Sequence, residues 1–276
     1  MAQLRYDIYQ GVRKAKTKLA IGFSALGLLL GGGGLSLLPS IAAHADPVCT
    51  ETGFFRDGIN LTAARIGGDV TGPLEATGCD IGVYYGPTSN NTVNEAEIFG
   101  ARYFGVVNRG GDVDVTDSEI HNIGDTPFSG AQHGVGINFA SVTTGDSTNR
   151  SICDSTITTT GTVSGNDVYE YQKGGIVVSC DGASVDIQNN TVTGLGPFKF
   201  IAQNGIQVGF GAIAVGVSGN TVTANIYTAG AAKPFVSTGV LFFSGTLQGV
   251  DSNKVLPTIQ RTNDVHQNQA NVTVIN

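Results

Sequence analysis

Apolar and polar positions in this chain recur as one two-part phrase. The first part sets two apolar residues five apart around a small polar core: Val115-Thr-Asp-Ser-Glu-Ile120, Ile152-Cys-Asp-Ser-Thr-Ile157, Ile187-Gln-Asn-Asn-Thr-Val192 and Val217-Ser-Gly-Asn-Thr-Val222. The second part is a glycine and a short apolar run: Gly134-Val-Gly-Ile137, Gly174-Gly-Ile-Val-Val178, Gly205-Ile-Gln-Val208 and Gly239-Val-Leu-Phe-Phe243. The two parts alternate strictly. Ile98, Ile120, Ile157, Val192, Val222 and Val255 close successive first parts, with steps of 22, 37, 35, 30 and 33 residues. Repetition at such spacing marks a solenoid whose neighbours bury one another's apolar face. The segments are short, β-branched and bounded by Gly, Asn, Asp and Ser, which predicts strands. No ordinary amphipathic helix stands out after residue 45. Ile120, Ile157, Val192 and Val222 are expected to form one apolar stack, and Ile137, Ile176, Ile206 and Val240 another. The Asn-Thr pairs at Asn91, Asn190 and Asn220 are expected to stack as an amide ladder.

Insertions are expected at 121–133, 158–173, 193–204 and 223–238, with a moderate one at 140–150. Solenoid insertions at one position of the repeat gather on one face, often the binding face. Those segments hold His121, Asp125, Phe128, His133, Asp167, Tyr169, Glu170, Tyr171, Lys173, Phe198, Lys199, Phe200, Tyr227, Lys233 and Phe235. Their ends read Gln132-His133-Gly134, Gln172-Lys173-Gly174 and Gln203-Asn204-Gly205. As an exposed row flanked by Tyr169 and Phe198, these residues would suit an extended sugar chain, amides bonding hydroxyls and rings covering sugar faces. As an internal row, the Gln residues would be another amide ladder.

The phrase resembles the repeat of right-handed parallel β-helix proteins, the pectate-lyase-like superfamily. Ala76-Thr-Gly-Cys-Asp-Ile-Gly-Val-Tyr84, Gln132-His133-Gly134, Tyr171-Gln-Lys-Gly-Gly175 and Ile201-Ala-Gln-Asn-Gly-Ile-Gln207 resemble a secreted bacterial branch of that group, mostly without assigned activity. The resemblance spans residues 66–276. It implies an all-β, single-domain right-handed parallel β-helix of roughly seven or eight coils. One fold hosts many functions, so the chemistry rests on individual residues.

The N-terminus reads as an export signal over residues 1–45. Arg5, Arg13, Lys14, Lys16 and Lys18 precede an uncharged apolar run from Leu19 to Leu30, and Ala43-His44-Ala45 forms a small-residue cleavage site. An uncleaved anchor is the alternative, weakened by Gly31 to Gly34 and Pro39. Residues 46–65 read as an N-terminal cap and 66–276 as the repeat domain. The full chain carries 15 Lys+Arg against 22 Asp+Glu, and residues 46–276 carry 10 against 21. That excess of acid disfavours nucleic acid and, after cleavage, anionic membrane surfaces as partners. An extended polysaccharide or cell-envelope glycan is the expected partner, at a secreted or cell-surface location. Cys49, Cys79, Cys153 and Cys180 form an even set in an exported chain, which points to two disulfides with three connectivities open. Proximity favours Cys49–Cys79 and Cys153–Cys180.

The catalytic sets of known glycan enzymes are incomplete here. A lyase needs a base near the sugar C5 proton, for which His133 and Lys173 are candidates, and an acid such as Tyr169 or Tyr171. Asp112 and Asp114 alternate onto one strand face and are the candidate Ca²⁺ ligands, with no other cofactor implied. A hydrolase needs converging carboxylates, and the chain has no Asp-Asp pair. Three readings follow: a non-catalytic glycan-binding or envelope protein, a polysaccharide lyase, and an adhesin-like scaffold.

Overall fold

The structure is a computed structural model that describes residues 47–148, 151–228 and 235–275. The expected export signal, its cleavage site and Lys233 lie outside them. Among the described residues are 21 strands and one helix, gathered into two long sheets of nine and twelve strands. The protein is all-β, and nearly all of its pairing is parallel.

From residue 81 onward the chain makes the same three visits in the same order. Column A, in the nine-stranded sheet, is built by Ile81–Tyr85, Phe104–Asn108, Val135–Ala140, Gly174–Ser179, Asn204–Gly209, Thr238–Phe243 and Ala270–Ile275. Columns B and C are the two wings of the other sheet, joined through the long strand Ser89–Phe99, which pairs with both. Gly111–Thr116, Thr159–Ser164, Ala183–Gln188, Ile213–Ser218 and Thr246–Leu247 extend column B. Glu119–Ile123, Asp167–Tyr171, Thr191–Thr193, Thr221–Thr223 and Asp264–Val265 extend column C. Side chains from all three columns meet in one apolar cluster. Columns B and C alternate buried with more exposed positions, as in Gly111–Thr116 and Ala183–Gln188, so one face of each turns to this core.

Ile137, Ile176, Ile206 and Val240 stack in register as expected. The other stack differs by one member. Val168, not Ile157, pairs between Ile120 and Val192. The phrase that fits is Val163-Ser-Gly-Asn-Asp-Val168, whose Asn166 joins the amide ladder. Residues 152–157 instead form a turn in which Asp154 accepts hydrogen bonds from the Thr156 amide and hydroxyl, and Ile152 is exposed. So 158–173 is not an insertion. It holds a column B and a column C strand, and the long insertion is 141–158, between columns A and B.

That insertion covers the outer face of column A near its start. The Phe55 amide donates to Thr144 O, and the Arg109 guanidinium to Val142 O and Tyr84 Oη. A second apolar cluster lies there, built from Phe54, Leu61, Tyr84, Phe104 and their neighbours. Thr50–Arg56 and Ile59–Ile66 form an antiparallel pair at that end of the sheet. Cys49 is bonded to Cys79, and Cys153 to Cys180. The second bridge ties the 141–158 insertion to a later A–B corner.

At the other end, helix α1 (Ser252–Thr262) is inserted between columns B and C. It buries Val255 and Ile259, four apart on one helical face. Val255 therefore closes no strand phrase; Val265 takes that place, paired with Val222.

Two internal stacks hold the repeats in phase. At the B–C corner the Ser118 amide donates to Asn166 Oδ1, Asn166 Nδ2 to Asn190 Oδ1 at 2.9 Å, Asn190 Nδ2 to Asn220 Oδ1 at 2.9 Å, and Asn220 Nδ2 to Asn263 Oδ1 at 2.8 Å. Asn91 is no part of this ladder; it lies on the outer edge and donates to Asp69. The other stack is a file of glycines in column A: Gly82, Gly105, Gly136, Gly175, Gly205 and Gly239. Each faces a branched residue of column C. A Cβ on Gly175 would lie 2.4 Å from Val192 Cγ1 and 2.6 Å from Gly205 O, and one on Gly205 would lie 2.4 Å from Val222 Cγ1.

Gly205→Ala should destabilise the fold by about 1–3 kcal/mol through overpacking against a buried wall. Asn190→Ala should cost about 1–3 kcal/mol, because it strips the buried Asn166 groups of their acceptor. Urea unfolding of both variants checks these values; changes under about 0.5 kcal/mol, the usual range for surface substitutions, would contradict the packing described.

Candidate functional site

The loops from column C to column A carry most of the side chains able to meet a ligand. Three are long: 124–134, 194–203 and 224–237. A much shorter one, Gln172-Lys173, is only two residues long and lies between the first two. Strand pairing sets Gly174 opposite Val135 on one side and Asn204 on the other. Lys173 is therefore level with Gly134 and Gln203, and Gln172 is level with His133. Gln132, Gln172 and Gln203 do not form one row. The doubled glycines Gly134-Val-Gly136 and Gly174-Gly175 allow two phases in the sequence, and the glycine file selects Gly136 and Gly175.

Gln172 and Gln203 are fully buried, and each holds loops in place. Gln172 Oε1 accepts from the amides of Asp125 and Ser129, and its Nε2 donates to Ala131 O. Gln203 Oε1 accepts from the Leu195 amide, its Nε2 donates to Tyr171 O, and its own amide donates to Ser237 Oγ. Gln269 does the same for the third loop, accepting from the amides of Tyr227 and Ser237. Gln269 is exposed, whereas Gln172 and Gln203 are internal clamps. Asn204 is buried as well, donating to Gln207 Oε1. Gln132 is exposed, and its carbonyl accepts from the Arg56 guanidinium.

Tyr171 is not available as an acid. It is fully buried, and its hydroxyl donates to Asn225 Oδ1 at 2.7 Å. Burial pushes its phenol well above the ordinary tyrosine range, and the Asn225 bond offsets only part of that. Tyr169 lies outward on column C, in a stack of rings with His121 and Phe99 whose centroids are 5.0 and 5.4 Å apart. Its hydroxyl bonds Glu119.

His133 is 4% exposed, and its ring lies tilted against Tyr103 with centroids 4.2 Å apart. Its Nε2 is 2.8 Å from Asp125 Oδ1, which also accepts from Arg102 Nε at 3.0 Å. Ser129 Oγ donates to the other carboxylate oxygen. The carboxylate is the hub, so the serine is bonded to Asp125 and not to the imidazole, and no activated serine results. Burial alone would raise the Asp125 carboxyl. The hydrogen bonds from Ser129, His133 and Arg102 outweigh it and hold the group well below the usual carboxylate range. This cluster braces loop 124–134.

Between the braced loops runs a groove of about 440 Å³, lined by Gly130, Gln132, Lys173, Phe200, Ile201, Ala202, Tyr227 and Phe235. Phe200 is 49% exposed and Phe235 63%. Phe198 lies behind Phe200, edge-on to it and to Phe128. Lys199 Nζ lies 5.3 Å from the centre of the Phe200 ring. Lys173 is half-buried in this groove, and its Nζ donates to Ala202 O at 2.9 Å. Among the described residues no carboxylate is within ion-pair distance of it. Burial lowers its pKa from the ordinary lysine value.

Asp112 and Asp114 lie on column B, apart from the groove. Thr160 Oγ1 donates to Asp112, and the Thr162 amide to Asp114. Among the described residues no three His, Cys, Asp or Glu side chains converge as a metal site. Ile201, Ala202 and Gly130 carry no chemical signal in the sequence and enter the groove only because the loops stack. No family model, curated protein or solved structure matches this chain. Among the described residues no helix is long and apolar enough to cross a membrane.

Gln172→Ala should lower stability by about 1–3 kcal/mol, since two loop amides lose their acceptor. Asp125 also gives stability a defined pH dependence. A carboxyl lowered in the fold stabilises fully above its unfolded value of about 4, and that contribution is lost as pH falls through the folded value. Melting temperature should therefore fall as pH drops below about 4, and Asp125→Asn should flatten that part of the profile. Equal slopes in the two proteins would refute the role of this carboxylate.

Proposed function

We propose that residues 46–276 form an exported right-handed parallel β-helix of roughly seven or eight coils that binds an extended glycan on its loop face. The observation that carries this reading is the groove between the 124–134, 194–203 and 224–237 loops, walled by Phe200, Tyr227 and Phe235 with Lys173 in it. Exposed rings held by rigid loops suit the apolar faces of sugars, and pre-ordered walls limit the entropy lost on binding. Buried Gln172 and Gln203 and exposed Gln269 accept from backbone amides of these loops, at Asp125, Leu195 and Tyr227. Two disulfides fit an extracellular setting. A cell-envelope glycan is the partner this location favours.

A polysaccharide lyase is the second reading, and Lys173 is the observation in its favour. A half-buried amine with no paired carboxylate among the described residues is a plausible base for a sugar C–H proton. His133 is a weaker candidate, since Asp125 and Tyr103 enclose it.

A glycan array with the purified mature protein tests the first reading. The double variant Phe200→Ala/Phe235→Ala should weaken binding at least about tenfold, a loss expected of exposed aromatic anchors, with an unchanged melting temperature. Failure of every glycan to bind would overturn it. Absorbance from unsaturated uronate products would instead establish the lyase.

A further inference from the structure

We propose that Lys173 is a nucleophilic amine and that the groove captures a small aldehyde on it as an imine. Three features of its surroundings point this way. Lys173 lines an open groove with aromatic walls, so a flat apolar carbonyl compound can reach it. Its Nζ has one hydrogen bond, to Ala202 O, which leaves room for an incoming carbon. Among the described residues no ion pair with a carboxylate holds it in the charged form, and apart from Lys173 the titratable side chain lining the groove is Tyr227. Burial adds to this by favouring the neutral amine, the form that attacks carbonyls. Lys254 is the contrast within the same chain: its side chain is 67% exposed and its Nζ lies 2.9 Å from Asp251 Oδ2.

In the step itself, the neutral Lys173 nitrogen adds its lone pair to the aldehyde carbon. The carbonyl π pair moves to oxygen, and a proton passes from nitrogen to oxygen to give the carbinolamine. Loss of one water then leaves the C=N bond. No oxidant, reductant or metal is consumed. The inference concerns the amine and stands apart from the identity of any glycan.

The wild-type protein supplies its own control. It is incubated at pH 7 with benzaldehyde and cyanoborohydride, which reduces any imine to a stable secondary amine, and labelled peptides are quantified by mass spectrometry over time. Lys173 should be labelled at least about tenfold faster than Lys254, the margin expected of an amine with a raised neutral fraction. Labelling of Lys173 at the Lys254 rate or slower overturns the proposal. Lys173→Arg, checked for an unchanged melting temperature, should abolish the fast-labelled site. Fast labelling that survives in that variant, at Lys199 for example, also overturns it. Loss of glycan binding with fast Lys173 labelling retained would remove the glycan reading and leave this one intact.

Discussion

The repeat depends on a close approach between the glycine file of column A and the branched residues of column C. At Gly82, Gly105, Gly136, Gly175, Gly205 and Gly239 a Cβ would fall 2.4–2.6 Å from Ile98, Ile120, Val168, Val192, Val222 or Val265. It would also fall 2.5–2.8 Å from the next backbone carbonyl in the file. Both contacts are inside ordinary carbon and oxygen radii, so only glycine fits. A strand that slipped by one residue would push a side chain into that space. The file therefore sets the phase of each repeat more strictly than apolar burial alone, which accepts Ile, Val or Phe at its own positions.

The polar stacks follow from that phase. With glycine and valine opposed, Asn166, Asn190, Asn220 and Asn263 fall at the same corner, each amide bonded to the next. The same register aligns Gln172 with loop 124–134 and Gln269 with loop 224–237. Buried amides are costly unless bonded, so the Gln172 and Gln203 clamps tie the 124–134 and 194–203 loops to the stacked strands. The groove is thus a by-product of repeat phasing: its walls are where they are because the interior admits one register. Its chemistry depends on what those walls leave unpaired. Asp125 is consumed by His133, Ser129 and Arg102, whereas Lys173 has a single carbonyl.

Much of this was legible in the chain. The second-part phrases at Ile137, Ile176, Ile206 and Val240 stack as read, and both disulfides join the cysteines nearest in sequence. Ile152–Ile157 imitated a repeat phrase because its apolar spacing is right. It lacks the asparagine before the last polar position, and Val163–Val168 has it. Helix α1 was hidden because Val255 at the end of Ser-Asn-Lys-Val looks like one more closing residue until Ile259 is counted with it. The Gln row failed for another reason: glutamine has the same character as an internal clamp or an exposed sugar contact, and only burial distinguishes them.

By itself the sequence determined the all-β class, the apolar stack of Ile137, Ile176, Ile206 and Val240, and the cysteine pairs, because each depends on short-range pattern or proximity. Tertiary structure alone decided the phase of the doubled-glycine repeats, the inward direction of Gln172, Gln203 and Tyr171, and the solitary position of Lys173. Those properties arise between segments 24 to 54 residues apart, such as Asn166 with Asn190 and Tyr171 with Asn225. Their outcome is set by which atoms approach within 3 Å once the repeats are stacked, and no local pattern encodes that distance.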